Sequence, residues 1–238
     1  MARRWWRRFV PFPKKKTLQR WFPHFETRKS VALIIQSKAD VVLDVGANEG
    51  QYGQKLRACG YRGRIVSFEP LPDVHKVLSR TAAGDAAWSV HPPSAVGADA
   101  GQLTVHHYKD SSLSSALKPT QGRADVAAFR PVGSIEVSVD RLDDLAATYL
   151  GKDDKVFVKI DVQGLEPEVI AGADALLKRA VGVQIELPLR QVYDGESSYL
   201  DLLARLDQYG LRAVYFFPVV LKRRLVPEDQ MDAVLLRR

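Results

Sequence analysis

The stretch Val42-Leu-Asp-Val-Gly-Ala-Asn-Glu-Gly50 decides how this chain folds. The run Asp40-Val-Val-Leu-Asp44 reads as a buried strand that ends in an acid. Glycines at 46 and 50 flank a turn. Gly46 lets the backbone bend and come close to a ligand, and Gly50 relieves crowding where a helix begins. From Gln51 to Cys59 the apolar spacing is helical, and Gly60 stops it in the manner of a C′ glycine. Strand, glycine turn and helix together open a β–α unit.

Working outward, the same alternation repeats. Arg64 to Phe68 is a second strand, closed by Glu69-Pro70. A helix is expected from about Asp73 to Thr81, with Val74, Val77 and Leu78 inward, and a third strand from Ala87 to His91. Residues 95–134 break the rhythm: Leu103 to Tyr108 and Ile135 to Val139 look extended, around a Ser-rich loop. Asp140 is placed to cap a helix bearing Leu142, Leu145 and Tyr149. Val156 to Ile160 is an apolar strand, followed by a helical stripe of Val169, Ile170, Ala173, Leu176 and Leu177. Val181 to Ile185 is a strand ending in Glu186. Ser197 is placed to cap a helix with Leu200, Leu203 and Leu206, ended by Gly210. Leu211 to Phe217 and Asp232 to Leu236 supply the last strands. Repeated strand–helix alternation specifies an α/β fold, a mostly parallel sheet with helices on both faces, without internal repeat.

Composition agrees with a foldable globular chain: 238 residues, 46% hydrophobic and 26% charged. The single cysteine, Cys59, cannot form an internal bridge, which suits a reducing compartment. No apolar run approaches the roughly 18 residues of a membrane span. The formal charge of +7 comes from 35 Lys+Arg against 28 Asp+Glu, and it is uneven. Residues 1–20 hold Arg3, Arg4, Arg7, Arg8, Lys14, Lys15, Lys16 and Arg20 and no acid, so the remaining 27 basic and 28 acidic residues nearly cancel. Trp5, Trp6, Phe9, Phe12, Trp21 and Phe22 interleave with those cations. Residues 1–35 therefore read as a basic aromatic arm on a domain spanning 36–238. The arm lacks the apolar core of a secretory signal. Its first 25 residues read either as a solvated terminus with no specific partner or as a segment for an anionic membrane surface, and nucleic acid is the weaker partner. The expected location is cytoplasmic, with peripheral attachment at the inner face of the membrane.

Ligands of open parallel sheets bind beyond the carboxyl ends of the strands, so the acids ending strands carry the chemistry. A dinucleotide site wants G-x-G-x-x-G and a pyrophosphate on the helix N-terminus. Here the spacing is G-x-x-x-G and Asp44 opens the turn, which suits a cation. Glu69, 25 residues later at the end of the next strand, is placed to accept hydrogen bonds from a ribose. A nucleoside that carries a positive charge and no phosphate is S-adenosylmethionine.

These residues resemble the FkbM-type family of S-adenosylmethionine-dependent methyltransferases over roughly 40–236. The resemblance rests on Val42–Gly50, Phe68-Glu-Pro70, Val139-Asp-Arg-Leu-Asp-Asp-Leu145, Val158-Lys-Ile-Asp-Val-Gln-Gly-Leu-Glu166 and Asp232-Ala-Val234. Ala95-Val-Gly97 and the serines of 111–115 match more loosely. It implies a single-domain class I methyltransferase (Rossmann-like) fold, a seven-stranded sheet whose last strand is antiparallel. It further implies that Asp44, Gly46, Ala47, Asn48 and Gly50 line the methionine side of the cofactor. Glu69 would hold the ribose, and Ser94 and Ala95 would lie near the adenine. The expected reaction is O-methylation of a hydroxyl on a sugar, glycan or related metabolite in bacterial glycan biosynthesis, a step that rests on family analogy.

A methyl transferase must align an acceptor oxygen and remove its proton. Asp161, next to the expected methyl position, is the first candidate for the base and also a cofactor contact. Glu166 and Glu186 are the further catalytic candidates, although Glu166 opens a helix where negative charge is favoured anyway. Asp161, Glu166 and Glu186 could gather oxygens for Mg²⁺, but no ligand spacing commits the chain to a metal. The histidines read as surface or packing residues, and the serines of 111–115 as a loop over the cofactor. Acceptor selection is expected in 98–134 and 188–198. The alternatives are a non-catalytic membrane-associated binding module on the same fold, and a nicotinamide-dependent oxidoreductase.

Overall fold

A computed structural model describes residues 25–218 and 229–237. Its elements are α1 (Phe25–Gln36), β1 (Val41–Val45), α2 (Gln51–Ala58), β2 (Arg64–Phe68), α3 (Pro72–Ala82) and β3 (Trp88–Val90). Then come β4 (Ala95–Gly97), β5 (Gly101–Tyr108), β6 (Pro131–Arg141), α4 (Leu142–Tyr149) and β7 (Val156–Ile160). The chain continues with α5 (Glu166–Ala171), α6 (Asp174–Leu177), β8 (Gly182–Pro188), α7 (Tyr199–Asp207), β9 (Leu211–Pro218) and β10 (Gln230–Arg237). The main sheet has seven strands in the order β3-β2-β1-β7-β8-β10-β9. β10 runs antiparallel between β8 and β9, while β1, β2, β3, β7 and β8 pair in parallel.

The central strands are apolar throughout because both faces are covered: every residue of β1 and of β7 is buried. One face packs on α4, α5, α6 and α7 through residues such as Leu43, Val158, Ile185, Leu177 and Leu206. The other packs on α1, α2 and α3 through Ile34, Val42, Leu56, Leu78 and Phe157. Each such side chain, fully buried, is worth about 1.5–3 kcal/mol.

Several expectations need correction. Val31 and Ile34 of α1 are buried in the core, so the domain is under way by residue 25 and a boundary after 35 cuts through the end of a helix. The expected membrane and nucleic-acid partners of the arm fall on residues 1–24, outside the described residues. Residues 95–141 break the alternation because they build a second sheet, β4-β6-β5. It packs Val105 and Val137 against Leu71 and Val74. Asp140 lies inside β6, opposite Val96, and Arg141 is the residue that precedes α4. The long stripe from Val169 to Leu177 divides at Gly172, where a Cβ would come within 1.9 Å of the Gly97 carbonyl oxygen. Asp143 then caps α6, accepting from the amides of Ala175 and Leu176. Ser198, one residue later than expected, caps α7 through the Asp201 amide.

Candidate active site

The strand order reverses between β1 and β7, and the turns leaving these two strands meet there. Asp161 N–H donates to the Val45 carbonyl at 3.1 Å. Gly46 has φ +76°, and a Cβ on it would stand 1.8 Å from the Asp161 carbonyl oxygen. Only glycine fits that approach. The next turn residue, Asn48, also has positive φ, at 47°, which asparagine tolerates. Its amide donates to Glu69 Oε2 at 2.9 Å, while Glu69 Oε1 accepts from Leu71 N–H at 2.9 Å. Glu69 thus ties the end of β2 to the turn after β1. Burial pushes its carboxyl up to about 7, against the two amide bonds that favour the charge.

Strand register sets a polar row across the α1–α2 face of the sheet: Ser67, Asp44, Lys159 and Gln184 are side-by-side partners. Asp44 is fully buried. Its Oδ2 accepts from Ser67 Oγ at 3.2 Å, whereas its Oδ1 has no hydrogen-bond partner and stands 3.8 Å from Lys159 Nζ. Lys159 Nζ donates to Asp161 Oδ2 at 2.9 Å and lies 5.5 Å from the Tyr52 ring centroid. Burial works against the lysine charge, but Asp161 and Asp44 outweigh it and hold the ammonium protonated. Burial raises Asp44, and Lys159 offsets this only in part.

The second oxygen of Asp161 is also engaged: Gln163 Nε2 donates to Oδ1 at 2.7 Å. The same amide nitrogen donates to Glu186 Oε2 at 2.8 Å, and Tyr193 Oη donates to Gln163 Oε1 at 2.9 Å. Ser115 Oγ donates to the Gln163 carbonyl at 2.6 Å, and Ser111 Oγ lies 3.4 Å from Asn48 Oδ1. These contacts hold the 111–116 loop over the strand ends.

A cavity of about 360 Å³ lies beneath that loop, a size suited to a small ligand. On the β2–β3 side it is lined by Glu69, Leu71, Ser94, Ala95, Val96 and Val105. On the β8–β10–β9 side it is lined by Ser30, Tyr52, Lys55, Gln184, Phe217 and Asp232. Gly46, Ala47, Asn48, Lys159 and Asp161 line it at the switch point between them.

Of the expected cofactor contacts, Gly46, Ala47, Asn48, Glu69, Ser94, Ala95 and Asp161 line the cavity, and Asp44 and Gly50 do not. Asp44 acts from behind, through Lys159. Gly50, at φ +92°, leaves room for Leu78, Thr81 and Trp88. Of the catalytic candidates, Glu166 turns away. Its carboxylate accepts from the amides of Val162 and Gly164, closing its own loop, and burial pushes it up to about 7. Glu186 lies buried beneath Gln163 and Gln230, with its carboxyl raised by burial. Asp161, Glu166 and Glu186, which could have gathered oxygens for Mg²⁺, form no metal-ligand cluster among the described residues. None of the described histidines lines the cavity. The expected reading missed Lys159, Gln184 and Asp232. Lys159 was detectable, as a lysine inside an apolar strand two residues before Asp161 and hence on the same face.

A doubly wound sheet with its seventh strand antiparallel, a glycine turn after β1 and a ribose-type acid after β2 define a class I methyltransferase domain. The sequence matches the model of the methyltransferase FkbM domain over residues 44–213, and the chain belongs to that family. It is 29% identical to methyltransferase sdnD of Sordaria araneosa over 155 residues, covering 56% of this chain and spanning 60% of that relative's length. It is 23% identical over 197 residues, 80% of each chain, to 2-O-methyltransferase NoeI of Sinorhizobium fredii (strain NBRC 101917 / NGR234). A crystal structure of a fibrillarin/Nop5p complex shares the fold, with TM-score 0.50 and 13% identity over 90% of this chain and 84% of that one.

The family's cofactor is S-adenosylmethionine, and the residues present fit it. Ser94 Oγ is buried without a hydrogen-bond partner and lines the end of the cavity where a heterocycle would need one. Gly46 leaves the backbone bare at the switch point. Around Lys159 stand the acids Asp44, Asp161 and Asp232, which in their ionised forms favour a cationic ligand.

Proposed function

We propose that this protein transfers a methyl group from S-adenosylmethionine to a hydroxyl oxygen of a sugar or glycan. The observation that carries the reading is the lining of the cavity: an end with Glu69, Ser94 and Ala95 joined at the switch point to an end with Ser30, Tyr52, Gln184, Phe217 and Asp232. The similarity to NoeI, a 2-O-methyltransferase, supports the choice of oxygen.

In this reading Ser94 and Ala95 hold the adenine, Glu69 the ribose, and Gly46 to Asn48 the methionine portion. When bound, S-adenosylmethionine supplies a methyl group already activated by its sulfonium, so no covalent enzyme intermediate is needed. The chain's own work is alignment, water exclusion and proton removal. Alignment is worth up to about 7–11 kcal/mol of the barrier and a positioned base roughly 10²–10⁴-fold more. Lys159 and Gln163 fix Asp161 at the switch point, and the 111–116 loop keeps water from the strand ends. Asp44, opening a G-x-x-x-G turn, disfavours the pyrophosphate that a nicotinamide enzyme must seat.

The test is transfer of labelled methyl from S-adenosylmethionine into polar and lipid-linked bacterial extracts, followed by identification of the labelled product. The expected product is an O-methyl sugar. Label in protein, nucleic acid or a nitrogen would overturn the acceptor class. Titration calorimetry with S-adenosylmethionine and with NAD separates the two cofactor readings, and heat from NAD alone would overturn this one.

A further inference from the structure

Asp161 stands where a base is needed, yet both of its oxygens already accept hydrogen bonds, from Lys159 at 2.9 Å and from Gln163 at 2.7 Å. Taking a proton would cost it the ion pair with a buried lysine. The cavity offers another carboxylate. Asp232 lies at the start of β10, opposite Glu186 on β8 and Phe217 on β9, and it lines the β8–β10–β9 end of the cavity. Among the described residues its hydrogen-bond partner is the Gln184 side chain, whose Oε1 is fixed by Tyr52 Oη at 3.0 Å. The surroundings of Asp232 therefore orient it without an ion pair that protonation would break.

We propose that Asp232 is the general base of methyl transfer and that the space between Asp232, Gln184, Phe217 and Ser30 seats the acceptor, a polyhydroxylated ring. The inference rests on the methyl-transfer reading above and names the acceptor end of that site. As a lone pair of the acceptor oxygen bonds to the methyl carbon, the S–CH3 bond of the donor would break with its electron pair left on the departing sulfur, and the acceptor's O–H bond breaks. The proton goes to an Asp232 oxygen, the O–H electron pair stays on the acceptor, and the acid later returns the proton to water. Phe217 offers a ring an apolar surface, while Gln184, Ser30 and Asp232 offer its hydroxyls an amide, a hydroxyl and a carboxylate. Ser30, Phe217 and Asp232 all lie outside the matched segment 44–213. The acceptor end is thus assembled from the flanks of the domain. Residues 98–134 instead supply the covering loop, and Tyr193 of 188–198 acts on the cavity through Gln163.

The charged and titratable groups facing Asp232 are Lys159 on β7, Asp161 in the turn after it, Glu186 on β8, and Lys55 and Tyr52 on α2. Burial, with Asp161 adding to it, pushes Asp232 up to about 7, with Lys159, the Gln184 hydrogen bond and Lys55 opposing. A base with that value is half-ionised at working pH, where proton transfer is most efficient.

The experiment uses the full chain, S-adenosylmethionine and a panel of methyl hexosides and methyl 6-deoxyhexosides, with the extracts above as a second source of acceptor. For Asp232→Asn the expected result is a 10²–10⁴-fold loss of kcat with cofactor Kd within threefold of wild type. The acidic limb of the kcat–pH profile at saturating S-adenosylmethionine, near pH 7 in wild type, should vanish. A loss below tenfold, or an acidic limb that persists, overturns the proposal while leaving methyl transfer intact. Wild-type protein that methylates nothing overturns both readings. Independently of any acceptor, ¹³C-carboxyl NMR of the protein saturated with S-adenosylhomocysteine should show Asp232 titrating near 7, assigned by its absence in Asp232→Asn. A midpoint below 5 overturns the assignment as base.

Discussion

At the residue scale, the site turns on one buried lysine among acids. Lys159 has 7% of its side chain exposed and faces Asp44, which has none. Removing one partner of such a group strands the others, at a cost of about 3–5 kcal/mol. Lys159→Met should therefore lower the unfolding free energy from urea denaturation by that amount, and Lys159→Met with Asp44→Asn should recover part of it. No recovery in the double variant would mean that the two residues are not coupled. Glu69 makes a second case. Its charged form is the one that accepts bonds from a ribose, so cofactor affinity should weaken as pH falls through about 7, by up to about tenfold per unit. In Glu69→Gln the dependence should flatten and binding weaken about tenfold or more, measured by calorimetry between pH 6 and 8. Acids that end apolar strands were legible in the sequence, because strand ends follow from local patterning. Their partners were not. Whether Asp161 is a free base or is held on both oxygens depends on Lys159 and Gln163 folding back on it, which spacing alone does not encode.

At the scale of elements, the central strands could be read from the chain because they are apolar over their whole length. The β4-β6-β5 sheet was legible only in part: Leu103 to Tyr108 and Ile135 to Val139 read as extended, but most residues of β5 and β6 are exposed or half-exposed and β4 is three residues long, so their pairing into a second sheet did not follow from the pattern. The junction between β1 and β7 carries the function of the main sheet. Gly46→Ala would place a Cβ 1.8 Å from the Asp161 carbonyl oxygen at a φ of +76°, and the two turns must separate. The expected outcome is a stability loss of about 1–3 kcal/mol together with loss of measurable cofactor binding, read by thermal denaturation with and without S-adenosylmethionine. Near-normal binding would show that the turns can part without moving the ligand site. Tyr193→Phe is the milder counterpart. It removes the hydroxyl that steadies Gln163 and should cost about 1 kcal/mol with the sheet undisturbed.

At the scale of the whole molecule, a formal charge of +7 conceals a set of buried acids. Once the basic residues of 1–20 are set apart, acids and bases nearly balance, yet Asp44, Glu69, Glu166, Glu186 and Asp232 are gathered inside the domain, each with its carboxyl raised by burial. The consequence for stability has a definite sign. In the unfolded chain these groups ionise near pH 4. In the folded chain Glu69, Glu166 and Asp232 keep their protons up to about 7. Between those limits the folded state binds more protons, so its stability falls as pH rises through the window and levels above it. Asp85, Asp154 and Asp174 act oppositely, each lowered by a hydrogen bond to Arg57, Arg64 or Lys178. Their contribution is lost only as pH falls below about 4, outside the window. The Tm of the cofactor-free protein should therefore drop from pH 5 to pH 8. S-adenosylmethionine, a cation, favours the ionised acids, so the Tm increase it produces should be larger at pH 8 than at pH 5. Differential scanning calorimetry at both pH values, with and without the cofactor, measures all four quantities. A Tm that rises toward pH 8 without cofactor would mean that the buried acids are already ionised in the folded protein at pH 5, and the predicted difference in the cofactor's effect between pH 5 and pH 8 would fall with it.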